Sequence, residues 1–139
     1  MTKRQMRHFE AARKEALKSD FHQRIGCVIV YHNHVLAKGR NGHKTHTEQE
    51  KYNSHRKFEN NPNTIQAKIH AEIAALSKCR YLDIDWNKVE VYVWRETKDG
   101  KTCGMSAPCP ACRAALQERG IRRLFYTGDD CLLYEYLIA

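Results

Sequence analysis

The residues Cys27-Val28-Ile29-Val30-Tyr31 are apolar without interruption. Successive side chains of an extended strand point to opposite faces, so such a run has no face to give to water. It must be covered from both sides, which calls for a layered fold with helices packed on a sheet. The flanking pattern agrees. A second apolar run at 35–39 follows the polar tripeptide His32-Asn33-His34, and the two runs read as a β-hairpin. Before it, 2–18 reads as a helix: Thr2 and Gln5 suit a capping box, and Met6, Phe9, Ala12 and Ala16 recur at helical spacing. After it, helices are expected over 69–80 and 109–119, the second stopped by Gly120. Strands are expected over 88–96, where Val89, Val91 and Val93 alternate with Glu90, Tyr92 and Trp94, and over 121–127. The segment 132–138 reads equally as helix or strand. Strands separated by helices predict parallel pairing. The sum is an α/β chain with a three-layer αβα fold, a central mixed sheet of about five strands flanked by helices.

A length of 139 residues suffices for one domain over 1–139. No apolar run approaches the roughly 20 residues of a membrane-spanning helix. The basic start, Met1-Thr2-Lys3-Arg4, is not followed by the apolar segment of a secretory signal. Six cysteines would suit a disulfide framework in an exported chain. Without an export signal they predict reduced thiols, a metal site, a cytoplasmic location and no membrane partner. The net charge of +8 is unevenly placed: 1–70 hold 14 basic and 6 acidic residues, whereas 71–139 hold 10 of each. That basic first half needs an explanation.

Two short segments carry chemistry. His70-Ala71-Glu72 opens one expected helix, and Pro108-Cys109-Pro110-Ala111-Cys112 opens another. One imidazole and two thiolates suit Zn²⁺, and Cys-x-x-Cys over a first helical turn aims both sulfurs to the same side. Three protein ligands, His70, Cys109 and Cys112, leave a fourth tetrahedral position for water, the arrangement of a catalytic rather than a structural zinc. A structural site would want a fourth ligand, for which Cys103 and Cys79 are available. That alternative leaves the carboxylate of Glu72 without a purpose. Placed two residues beyond the histidine, Glu72 can move protons without ligating the metal, and His-x-Glu followed by Pro-Cys-x-x-Cys is the pattern of zinc nucleobase deaminases. Backbone N–H groups at the helix starts, Ala71 and Cys109, are expected to contact the base.

At these residues the chain resembles the zinc-dependent cytidine and deoxycytidylate deaminase superfamily. The match is tight at 70–76 and 108–112 and follows the element order from 24 to 127. The resemblance implies a hydrolase: water adds to the base and ammonia leaves, with one catalytic zinc and Glu72 as the proton shuttle. It also implies that Asn41, after the second strand, touches the sugar; a plain Asn-Gly turn is the competing reading. Members often assemble, so a homo-oligomer is expected.

The basic half would then hold phosphate. The loop 40–68, rich in His and Lys, precedes the expected catalytic helix, and His46 within it is a further substrate-contact candidate. A second, structural zinc on His43, His46 and His55, with or without Cys103, is disfavoured because no clear ligand pattern is present. The leading substrate is a free nucleotide, deoxycytidylate. The alternatives are a single-stranded polynucleotide, tracked by Lys3, Arg4, Arg7, Arg13 and Lys14; guanine or another purine; and a zinc-stabilised binding module without turnover.

Overall fold

The computed structural model describes residues 2–21, 23–44, 46–53, 69–97, 103–128 and 133–138. Its first helix, α1 (Lys3–Leu17), starts at Thr2, whose hydroxyl accepts from the Gln5 N–H while the Gln5 side chain accepts from the Thr2 N–H. This reciprocal capping box satisfies two end donors. The hairpin follows as β1 (Arg24–Tyr31) and β2 (His34–Arg40). Its turn needs two residues rather than three: His32 and Asn33 both take positive φ, 49° and 66°, and His34 already belongs to β2. Within the loop 40–68 lies a short helix, α2 (Thr47–Tyr52). Next come α3 (Ala71–Cys79), β3 (Glu90–Glu96) and a two-residue strand, β4 (Cys103–Gly104). α4 (Pro110–Arg119), β5 (Arg123–Thr127) and β6 (Leu133–Leu137) complete the described chain. Gly120 ends α4 with φ +91°, the left-handed stop expected there.

The six strands form one mixed sheet in the order β2-β1-β3-β5-β6, with β4 added to β3. Parallel pairing was expected across each helical crossover, but β3–β5 is the parallel pair; β1–β3 and β5–β6 run antiparallel. The cause is that β1 lies between β2 and β3, so the crossover through α2 and α3 joins strands that are not neighbours. Of the undecided segment 132–138, Leu133–Leu137 form an edge strand.

β1 is covered on both faces. Val28 and Val30 meet Phe9 and Ala12 of α1 together with Tyr92 and Phe125, whose rings stack at 4.6 Å. Cys27 and Ile29 face the opposite layer, made by Ile73 and Leu76 of α3 and Ala115 and Leu116 of α4. The layers are thus α1, the sheet, and α3 with α4. Close approach makes this possible: a Cβ at Gly26 would lie 2.1 Å from the Ala12 carbonyl oxygen, and one at Gly39 would lie 2.4 Å from the Ala75 nitrogen. Two of the α1 cations help to seat that helix, Arg4 with buried Glu90 and Arg13 with buried Glu96, while Lys3, Arg7 and Lys14 are exposed. No helix among the described residues is long and apolar enough to cross a membrane.

Candidate functional site

Two helix starts converge on one point. His70 is the N-cap of α3, in extended conformation, and its side chain makes no capping bond to that helix. Cys109 is the N-cap of α4, also extended, with Pro110 in the first turn where a missing N–H costs nothing. Cys112 lies one turn on, so its sulfur returns to the same side as that of Cys109. His70 Nδ1 is 3.3 Å from Cys112 Sγ and 3.5 Å from Cys109 Sγ. The three ligand atoms lie within 4.8 Å of one another, and no other group of three metal-binding side chains occurs among the described residues. A nitrogen and two sulfurs at this spacing fit a zinc ion. Cys112 is fully buried whereas His70 and Cys109 are half-buried, so the cluster has a protected side and a side that reaches solvent.

Charge is arranged to match. A hydrogen bond with Cys112 is the main influence holding the Cys109 thiol down to about 4, aided by His70 and opposed by burial. Burial pushes the Cys112 thiol well up. Glu72, in the first turn of α3, is 5% exposed. Burial raises its carboxyl above the ordinary value, against the opposing pull of His70 and of a hydrogen bond with Cys112. The carboxylate therefore reaches the same cluster. Ala71 begins α3 and is buried between Glu72 and His70 in sequence, its carbonyl facing Gly39 of β2.

The other residues singled out in the sequence have separate placements. Asn41 is buried and its side chain is engaged: Oδ1 accepts from the Ile25 N–H at 2.9 Å and from the Ser19 hydroxyl at 2.7 Å, and Nδ2 donates to the Gln23 carbonyl. It braces the turn between α1 and β1. His46 caps α2, its Nδ1 accepting from the Glu48 N–H at 3.1 Å. The ring of His43 lies 5.0 Å from that of Phe21. His55 and the Cys103 side chain lie outside the described residues, as do all of residues 54–68 of the basic loop.

The bonds of two supporting groups were not legible in the sequence. Gln49 of α2, completely buried, accepts the His70 backbone N–H on Oε1 at 3.1 Å and donates through Nε2 to Asn53 at 2.9 Å. Ser106 ties the approach to Cys109 onto the sheet: it donates to the Val93 carbonyl at 2.9 Å and accepts the Thr127 N–H at 2.7 Å. Neither residue type carries a distinctive signal in a polar loop.

Over residues 2–127 the chain matches the family described as the cytidine and deoxycytidylate deaminase zinc-binding region. Among solved structures it is similar to a cytidine deaminase from Burkholderia pseudomallei, with 19% identity, a TM-score of 0.65 and coverage of 99% of this chain and 94% of that one. It is likewise similar to the dCMP deaminase of cyanophage S-TIM5, with 20% identity, a TM-score of 0.62 and coverage of 92% and 86%. The same phage enzyme in complex with dCMP and dUMP matches at 17% identity and a TM-score of 0.61, covering 92% and 84%. At these identities the likeness speaks for the fold. No curated protein sequence matches the chain.

Proposed function

Because the chain belongs to the cytidine and deoxycytidylate deaminase family, we propose that it hydrolyses the exocyclic amine of cytosine in a free nucleotide, converting deoxycytidylate to deoxyuridylate and ammonia. One observation carries the reading: half-buried His70 and Cys109 and fully buried Cys112 converge within 4.8 Å while the buried carboxyl of Glu72 meets Cys112. His70 Nδ1 and the two sulfurs would hold one zinc ion. When bound, zinc supplies a water acidic enough to act as a nucleophile near neutral pH.

The chain's own residues do the rest. Glu72 takes a proton from water and delivers it to the ring nitrogen beside the carbon under attack. It then carries the second proton to the amine, which leaves as ammonia. A carboxyl raised by burial suits both tasks, being basic enough to accept and acidic enough to return. The N–H groups of Ala71 and Cys109, at the helix starts, would hold the base against this carboxylate.

A basic cleft supports the choice of a nucleotide. Lys18, Arg40, Lys44 and Lys78 border a cleft of about 420 Å³ that reaches Asn41 and Ile69, the neighbour of His70. Lys18 and Arg40 share one carboxylate, Glu15, and the cleft lining holds one further acid, Asp20, so positive charge remains. A polynucleotide substrate is the second reading, favoured by Tyr134 and Tyr136 on β6, each more than a third exposed, with Tyr134 stacked on Tyr126 at 5.6 Å.

The test is ammonia release by zinc-loaded protein from cytidine, deoxycytidylate, guanine and single-stranded oligonucleotides at two salt concentrations. Release from the mononucleotide alone is the expected result. Release from oligonucleotides that falls steeply with salt would transfer the assignment to the second reading. Release from guanine would make it a purine deaminase, and no release from any substrate would leave a zinc-binding module.

A further inference from the structure

α2 lies across the ends of both site helices. Glu48 pairs with Arg80, the C-cap of α3. Tyr52 donates its hydroxyl to Glu118 of α4 at 2.7 Å, and Lys51 lies 3.7 Å from the same carboxylate. Three surface contacts thus pin this six-residue helix to α3 and α4. Its one buried residue is Gln49, completely removed from solvent. The amide oxygen of Gln49 meets the His70 N–H, and the amide nitrogen is held by Asn53 one turn further on.

That N–H is a special one. As the N-cap of α3, His70 contributes its carbonyl to the helix, accepting from Ala74 at 2.9 Å, but its own N–H points out of the helical ladder. A half-buried donor in this position is best satisfied by a partner from elsewhere. The partner also fixes the rotation of the His70 backbone, and with it the direction in which the imidazole leaves the chain. A conservative change elsewhere in α2 would leave this bond in place, whereas Gln49 makes it directly.

We infer that Gln49 is the positioning residue for His70: by accepting the His70 N–H it sets the imidazole at the distance from Cys109 and Cys112 that a zinc ion needs. The inference rests on the reading of His70, Cys109 and Cys112 as the zinc ligands. It assigns a purpose to part of the polar loop before α3 that phosphate binding does not explain. Groups that orient a metal ligand from outside the metal's own shell are typically worth 10- to 100-fold in metal affinity.

The experiment compares zinc-loaded wild type with Gln49→Leu and Gln49→Glu by competition against a chelator, with the absorption bands of the cobalt-substituted proteins as a second readout. Gln49→Leu keeps the volume and removes the acceptor; it is expected to weaken zinc binding about 10- to 100-fold and to shift the cobalt bands. Gln49→Glu retains an oxygen for the His70 N–H and is expected to restore the wild-type cobalt bands and most of the affinity. If Gln49→Leu does not fold, Asn53→Ala, which frees the Gln49 amide to turn away, should weaken zinc severalfold. Wild-type affinity and bands in Gln49→Leu, or in Asn53→Ala where that variant stands in, would overturn the inference, as would equal loss in the Leu and Glu variants. A wild type that binds no zinc would overturn the ligand assignment along with it.

Discussion

Gly39 couples the sheet to the helix that carries His70 and Glu72. A Cβ at this position would lie 2.4 Å from the Ala75 nitrogen and 2.5 Å from the Ala71 carbonyl oxygen, where ordinary contact begins at 3.4 Å. The shortfall is about 1 Å, and both obstacles are backbone, so no rotamer change can absorb it. Gly39→Ala must therefore lift α3 from β2. Overpacking of this kind costs about 1–3 kcal/mol of stability. A displacement of about 1 Å at a catalytic group can cost roughly 100-fold in turnover. Gly26→Ala is the matched control. Its Cβ would lie 2.1 Å from the Ala12 oxygen and 2.4 Å from the Ala16 nitrogen, both on α1 against the other face of the sheet. Urea unfolding should show a loss of about 1–3 kcal/mol in both variants. Ammonia release, measured where both remain folded, should fall about 10- to 100-fold in Gly39→Ala and stay near wild type in Gly26→Ala. Equal loss of turnover in the two, or full turnover in Gly39→Ala, would refute the coupling.

Leu116 is fully buried on α4 between the helix and the sheet. Leu116→Ala should cost about 2–5 kcal/mol in denaturant unfolding and weaken zinc binding, because the same helix carries Cys109 and Cys112. Ser106→Ala removes the acceptor of the buried Thr127 N–H. Unfolding should report a loss of about 1–3 kcal/mol, with no change in α1 contacts such as the Phe9–Tyr92 edge contact at 5.2 Å. Burial, followed by the hydrogen bond to Glu118, pushes the Tyr52 phenol up to about 12 from an ordinary 10. The unfolded chain then releases this proton before the folded one does, so the stability it brings is complete below pH 10 and is lost as the pH rises through 12. Urea midpoints between pH 9 and 11.5 should fall less steeply in Tyr52→Phe than in wild type; identical slopes would place the titration elsewhere.

The features legible in the sequence are those written in adjacent residues. Thr2 with Gln5, Gly120 behind α4, and the alternation of Val91 and Val93 each encode a local geometry that tertiary packing leaves intact, whereas Val89 closes a short 3-10 turn over Trp86–Lys88 ahead of the strand. The His70, Glu72, Cys109 and Cys112 set stands out because spacing at two helix starts dictates which side chains share a side. Strand order is different. That β1 intervenes between β2 and β3 depends on which edges pair, and no local pattern states it. β6 escaped assignment because Leu133-Tyr134-Glu135-Tyr136-Leu137 is short and only its antiparallel pairing with β5 decides its conformation. Asn41 and His46 illustrate a further limit. Sequence marks them as polar residues near the site, but it does not state the backbone partners that the Asn41 amide finds in the turn between α1 and β1 and that His46 finds at the start of α2. The Gln49 bond was illegible for the same reason: its partner is a backbone N–H supplied 21 residues away.

In the proposed reaction Glu72 moves the protons of a deamination at a centre that His70, Cys109 and Cys112 would hold. Ammonia release from deoxycytidylate by Glu72→Ala, with zinc counted in the same sample, tests it most directly. A full zinc complement is expected, since Glu72 is not a ligand, with turnover reduced by about 100- to 10,000-fold. Near-normal ammonia release from the variant would contradict it.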